Sequence, residues 1–404
     1  MRTVGWKRLL GFVLSVLFLF LASELGIRLM GFQPRIYTRP YDPVFVSGMH
    51  FGKGIRNRAF AGNISHPSRS GYEPLLSGIY VFDHQAATSG GLAGRTDFIF
   101  SHPLSRYKAG DIDRIVCAKP GGLNIFVVGG SAAQGAGASS ARTTWHALLE
   151  QKLRKVFKTP DIHVFNAAIG GFNSLQERLT YELAVLPREP DIVLVLDGFN
   201  DVVLPLNTLV RPGDPYQTGI RFTRFYGNSL VQWLAETSAL AEFVSMQSFF
   251  LRRGAVRERV EQNDEVFGRY RDAVTNAYMR NTEAILEDCE FRSRLCLVAL
   301  QPFRAISHQG AGVALDRPDV LASRRWTQVY EHLKQRMGAS AHAARYLDMS
   351  AVFSARDRLG VYTDYVHFND RGSAILAEAL TRKLVPLIRS SARRTGRRPK
   401  FCQQ

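Results

Sequence analysis

Leu123-Asn124-Ile125-Phe126-Val127-Val128-Gly129-Gly130-Ser131-Ala132-Ala133-Gln134-Gly135 is the stretch that decides the fold. A run rich in β-branched and aromatic residues, free of charge, stops at two glycines. Such a run, bounded by glycine, predicts a buried strand of a parallel sheet. Ser131 then falls where the strand ends, with a helix predicted behind it over Thr143 to Phe157. In open α/β sheets, ligands bind outside the carboxyl ends of the strands. The glycines let the chain turn sharply enough to present the hydroxyl.

The pattern repeats outward. Strand DIHVFN precedes a glycine turn and helix SLQERLTYELAVL; strand DIVLVL leads into the loop GFND. Strand LCLVAL follows much later, then a helix near Trp326 to Met337, a short strand RYLD, and a helix from Asp370 to Ile388. Apolar strands alternating with amphipathic helices predict an α/β fold, a doubly wound parallel sheet covered on both faces. The domain is expected over 121–388, with a helical insertion at about 203–265 rich in aromatics. Residues 31–120 read as an irregular lead-in containing short strands such as GIYVF and FIFSH. Residues 389–404, with six basic residues and no acid, read as a disordered tail.

The first thirty residues bear on the compartment. Arg2, Lys7 and Arg8 precede LLGFVLSVLFLFLA; Glu24 interrupts before Leu25, Gly26 and Ile27. This span approaches the ~20 residues of a membrane helix. A cleavable signal peptide competes, but Phe20 or Leu21 with Ala22 or Ser23 makes a poor cleavage site. Residues 1–30 are therefore read as a single-pass anchor. The bulk of the chain is expected on the periplasmic or extracytoplasmic side by the positive-inside rule, although Arg28, Arg35 and Arg39 oppose it. The net charge is +17 over 404 residues, yet no zinc-finger spacing, RNA-binding aromatic motif or basic helix repeat supports nucleic acid as a partner. Four cysteines are too few for a disulfide scaffold. Cys117 and Cys402 look isolated. Cys289 and Cys296 are close enough to pair outside the cytosol, although free thiols, with Cys296 in a strand, are the favoured reading.

Four loops at predicted strand ends carry unusual residues. They are Gly129-Gly130-Ser131 with Gly135, the segment from Asn166 through Gly170-Gly171 to Asn173, Gly198-Phe199-Asn200-Asp201, and Asp364-Tyr365-Val366-His367. Parallel strands return to one edge, so the loops can converge. Together they supply a nucleophile (Ser131), a base (His367) and an orienting acid (Asp364). The N–H of Ser131, the N–H of a glycine near 171 and the Asn200 amide supply oxyanion donors. His367 stands out among ten histidines by having an acid three residues before it. Each piece has a plain alternative. Gly170-Gly171 makes a tight turn, and Asn200-Asp201 caps a helix.

The four loops resemble the blocks of the SGNH hydrolases, the GDSL esterase/lipase family, over about Leu123 to Leu387. The resemblance implies a three-layer flavodoxin-like fold. It assigns Ser131 as nucleophile, Gly171 and Asn200 as oxyanion donors, and Asp364 with His367 as the remaining triad. It implies activity on ester-linked acyl groups without metal or organic cofactor. The chain departs at the first block, where Gly130 replaces the aspartate of G-D-S-L. That aspartate is no triad member. The anchor with a Gly-Gly-Ser variant is similar to envelope members that handle acyl groups on surface glycans. The expected activity is a serine esterase or deacylase on an acylated small molecule or glycan, possessing an acyl-enzyme at Ser131. The alternatives are an O-acyltransferase of surface polysaccharide and a non-catalytic glycan-binding or assembly protein. A nucleotide-binding loop would need G-x-x-x-x-G-K-[ST] or G-x-G-x-x-G. An α/β-hydrolase elbow would need glycine at Ala133.

Overall fold

The computed structural model describes residues 3–30, 100, 104–118, 122–209, 211–213, 234, 237–307, 319–353 and 360–391. Five strands form a parallel sheet in the order β2-β1-β3-β4-β5: β1 Leu123–Gly129, β2 Ile162–Asn166, β3 Ile192–Asp197, β4 Leu295–Leu300 and β5 Tyr346–Asp348. This is the flavodoxin-like order, whose chain reversal lies between β1 and β3. In register, Val127 pairs with Asn166 on one side and Leu194 on the other. Every residue of β3 and β4 is buried. That double burial is why these strands read as continuous apolar runs rather than alternating ones.

Helices form the outer layers. The membrane-length helix α1 spans Thr3–Leu29, and α2 spans Ala109–Ala118. The short α3, Ser131–Gln134, follows β1, and α4 covers Trp145–Phe157. Then come α5 Ser174–Thr180, α6 Phe199–Thr208, α7 Ala239–Gln262 and α8 Asp264–Phe291. The chain continues with α9 Arg304–Ser307, α10 Asp319–Ala339 and α11 Asp370–Ser391. On α11, Leu376, Leu380, Leu384 and Ile388 recur every four residues and are buried. They form one stripe on that helix, which packs on α4. The other layer is α8 packed on α5 and α10, with Val274, Tyr278 and Ile285 buried.

Local chemistry explains several boundaries. Asn173 caps α5 by a reciprocal pair with Gln176, each side chain bonding the other's backbone N–H. The helix then relaxes through a π-turn, Tyr181–Val185, and a 3₁₀ turn, Leu186–Arg188, before Pro190. The tail is helical through Ser391, three residues into the stretch read as disordered; residues 392–404 lie outside the described residues. The segment GIYVF also lies outside them. Of FIFSH, only Phe100 is described, and it is helical rather than extended. The end of the lead-in forms α2, which seats Ile112 and Val116 in the core. Two apolar positions one turn apart are too short a pattern to announce a helix.

The favoured reading of free thiols is overturned. Cys289, at the end of α8, and Cys296, in β4, form a disulfide with Cα atoms 6.0 Å apart. Cys117 is also disulfide-bonded, and no described cysteine is free. A buried strand position is compatible with pairing because α8 ends over β4, where the sulfur of Cys289 faces it.

One described helix is long and apolar enough to cross a membrane, with its apolar window over Leu10–Leu29. Its Phe12, Phe18 and Leu19 are exposed, and Ile27 is its buried apolar residue in that window. A core helix would bury a stripe instead.

Candidate active site

β1 ends at Gly129, and Ser131 opens α3 directly at the carboxyl edge of the sheet. The indole N–H of Trp145, itself fully buried, donates to the carbonyls of Ala132 at 3.0 Å and Ala133 at 3.1 Å. This fixes α3 against α4 and leaves the serine little freedom. His367 and Asp364 lie on the loop before α11. Asp364 Oδ1 accepts from the backbone N–H of Val366 at 2.9 Å and of His367 at 2.8 Å. The acid-x-x-His spacing therefore makes a closed turn with the aspartate as its own cap.

The three side chains form a continuous relay. His367 Nε2 lies 2.7 Å from Ser131 Oγ, and His367 Nδ1 lies 2.6 Å from Asp364 Oδ2. Burial pushes the Asp364 carboxyl up, but the neighbouring imidazole and two backbone donors outweigh it and hold the group below its ordinary value. An ionised Asp364 can only accept, so Nδ1 carries hydrogen and Nε2 is free to accept from the serine. Ser131, Asp364 and His367 are all buried.

Two further contacts lock the serine loop to the histidine loop. Gly137 has φ +110, and a Cβ there would sit 2.5 Å from the Phe368 carbonyl oxygen, so only glycine lets the loops close. Ser139 donates through its N–H (2.8 Å) and its hydroxyl (2.6 Å) to the Asp370 carboxylate.

The oxyanion candidates also meet. Asn200 Nδ2 donates to the Phe172 carbonyl at 2.7 Å. A Cβ on Gly130 would lie 2.5 Å from that nitrogen and 3.3 Å from the Phe172 oxygen. The glycine that replaces the first-block aspartate thus makes room for the Asn200 amide beside Ser131. Gly171, at φ +85, precedes Phe172 in the same turn. The Asn200 amide carries two hydrogens, one of which lies on Phe172.

Beneath these loops lies a group of acids of which the sequence reading named only Asp201, as part of a helix cap. Asp201 accepts from the Ser174 hydroxyl at 2.6 Å and the Ser174 N–H at 3.0 Å, tying α6 to the start of α5. Asn281 on α8 donates to the same Ser174 hydroxyl at 3.0 Å. Tyr278 donates to Asp197 Oδ1 at 2.6 Å. Neither Glu177 oxygen nor Asp197 Oδ2 has an ordinary donor. Two carboxylates present only acceptors to each other, so one must hold a proton. Burial and then Asp197 push Glu177 well above the usual carboxyl range, making it the protonated member and the donor to Asp197. Burial, with repulsion from Asp197, also pushes Asp201 up to about 7. Asp197 ends an apolar strand and Tyr278 comes from a helix 81 residues later. Only the acid closing the run DIVLVLD hinted at the network.

A serine hydroxyl joined to an imidazole and a carboxylate, beside the Asn200 amide, is equipped for acyl transfer. A search among curated proteins finds no match. Among solved structures, the chain is similar to a lipolytic protein of the G-D-S-L family from Desulfitobacterium hafniense DCB-2. The identity is 12%, over 64% of this chain and 98% of that one, with a TM-score of 0.35. It is similar to the lipase Lip_vut3 from a goat rumen metagenome at 16% identity, over 64% and 96% of the two chains, with a TM-score of 0.39. The acetylxylan esterase Axe2 from Geobacillus stearothermophilus matches at 16% identity, over 66% and 95%, with a TM-score of 0.37. The model of the GDSL-like lipase/acylhydrolase family matches residues 127–375, a span running from the strand before Ser131 to beyond His367. The chain belongs to the GDSL-like lipase/acylhydrolase family, whose members are ester-hydrolysing enzymes.

Proposed function

We propose that the protein is a serine esterase that works through an acyl-enzyme on Ser131. The observation that carries this reading is the unbroken Ser131–His367–Asp364 relay, with contacts of 2.7 and 2.6 Å. His367 Nε2 takes the hydroxyl proton as Ser131 Oγ bonds to the ester carbonyl carbon. The carbonyl oxygen becomes an oxyanion facing the Ser131 and Gly171 N–H groups and the Asn200 amide. The C–O bond to the alcohol breaks, and the alcohol leaves with the proton from His367. Water then gives its proton to His367 and its oxygen to the acyl carbon; the bond from that carbon to Ser131 Oγ breaks, Oγ takes the proton back from His367, and the acid leaves. Asp364 stays ionised and stabilises the imidazolium.

The reading extends to place. α1 serves as a membrane anchor and the catalytic domain lies outside the cytoplasm, where disulfides such as Cys289–Cys296 persist. Acyl esters on cell-envelope glycans are the substrates suited to such a position. The test supplies acetyl and longer acyl esters, with and without a polysaccharide acceptor, and follows free acid and acylated glycan. Free acid should dominate, and Ser131→Ala should lose it together with fluorophosphonate labelling. Mostly acylated glycan would make the protein a transferase. A folded Ser131→Ala variant with full activity would remove the nucleophile assignment.

A further inference from the structure

Glu24 is a carboxylate inside the apolar window of α1, five residues before its end. A charge there is costly unless it is paired. It is paired, and mostly by a different helix. Glu24 accepts from the Ser238 hydroxyl at 2.8 Å, the Ala239 N–H at 2.9 Å and the Leu240 N–H at 2.8 Å, and from Arg28 Nε at 2.8 Å. The first N–H groups of a helix have no intrahelical acceptor, so the carboxylate and the start of α7 satisfy each other. At about 1.5 Å per residue, α7 begins about 7 Å inside the end of the apolar window. Around this joint Leu25, Leu29 and Met30 are exposed.

From that level α7 presents two faces. Phe249 is buried and packs on Leu209, next to the end of α6. On the opposite side Val244, Ser248, Leu251 and Ala255 recur at helical spacing and are exposed, Val244 at 53% and Leu251 at 75%. Arg252 and Arg259 are exposed along one flank of this stripe. A strip of Val244, Leu251 and Ala255 broken by Ser248, with arginines along one flank and joined to a membrane-length helix, fits the boundary between acyl chains and anionic headgroups.

We propose that α7 is an interfacial membrane helix, pinned at its start by Glu24 and lying with its Val244–Leu251 face on an anionic bilayer. The proposal rests on the reading of α1 as a membrane anchor. Its consequence for the site is proximity: α6 runs from Asn200 to the Leu209–Phe249 contact, about 13 Å at helical rise. The enzyme therefore works on esters presented at the membrane surface.

The full chain can be tested in vesicles of three parts phosphatidylcholine to one part phosphatidylglycerol. Its described native cysteines are in disulfides, so a fluorophore can be attached in turn at Leu251→Cys, at Phe18→Cys in α1 and at Lys155→Cys in α4. Each variant is first checked for a wild-type thermal transition. The label at 251 should lose most of its emission to a lipid-borne nitroxide near the headgroups and resist aqueous iodide, whereas the label at 155 should do the reverse. If 18 is quenched from the lipid but 251 is as open to iodide as 155, the anchor stands and the interfacial helix is refuted. If 18 is not quenched from the lipid, the anchor reading fails and the proposal falls with it. Protection of 251 from both quenchers, with energy transfer between labelled copies, would put a second copy on this face and also overturn the proposal.

Discussion

Replacing Asn200 by alanine should damage the protein in two separable ways. One amide hydrogen of Asn200 lies on the Phe172 carbonyl at 2.7 Å, and both residues are buried. Removing the amide leaves that carbonyl without this donor, a loss of about 1–3 kcal/mol of stability. The other hydrogen is the proposed oxyanion donor, and losing one such donor lowers kcat by about 10²–10³. From the sequence alone, Asn200→Ala would be expected to leave folding almost untouched. The Phe172 contact changes that expectation. The assay pairs thermal unfolding with steady-state kinetics on a short-chain ester, below the variant's transition. An interaction made only in the transition state should lower kcat and kcat/KM together and leave KM nearly unchanged. A variant with a lowered Tm but wild-type kcat would refute the reasoning and make Asn200 a clamp on the Phe172 turn alone.

Three further outcomes follow from other contacts. Asp364→Asn should keep the turn geometry but favour the wrong imidazole tautomer, lowering kcat by about 10⁴; a loss under tenfold would remove Asp364 from its role. Asp201 is raised to about 7 in the folded protein, against about 3.9 unfolded. The folded state thus binds the extra proton, and this group costs stability as pH rises from about 4 to 7. Asp201→Asn should therefore gain in Tm relative to wild type between pH 5 and pH 8, and parallel Tm–pH curves would contradict it. Replacing Cys289 and Cys296 together by serine should cost about 2 kcal/mol in denaturant unfolding by the loop-closure relation, and no loss would show that the bridge does not constrain the unfolded chain.

The central sheet was legible because parallel strands buried on both faces leave uninterrupted apolar runs. Each of the five strands predicted within 121–388 appears in the structure. The positions of Ser131 and Asn200 were legible for a related reason, since each follows a glycine that ends such a run, and Asp364 and His367 stand directly before the helix that starts at Asp370. What escaped was side-chain partnership at long range. No local pattern joins Glu177 to Asp197 or Ser174 to Asn281. The cysteine reading failed because burial in a strand was taken to favour a free thiol, whereas α8 brings its own cysteine over β4. Glu24 looked like a blemish in an apolar run until α7 supplied its donors.

The span between Ser131 and His367 is 236 residues, and that between Ser139 and Asp370 is 231. Closing a chain segment of that length costs about 5 kcal/mol of entropy before any contact repays it. No fragment of the sheet can hold both members, because the strands between them must first be laid side by side. During refolding, reactivity at the serine should therefore return last, after secondary structure and core fluorescence have recovered. The nucleophile doubles as a clock for completion of the fold, since it falls silent whenever the two ends of the domain are apart.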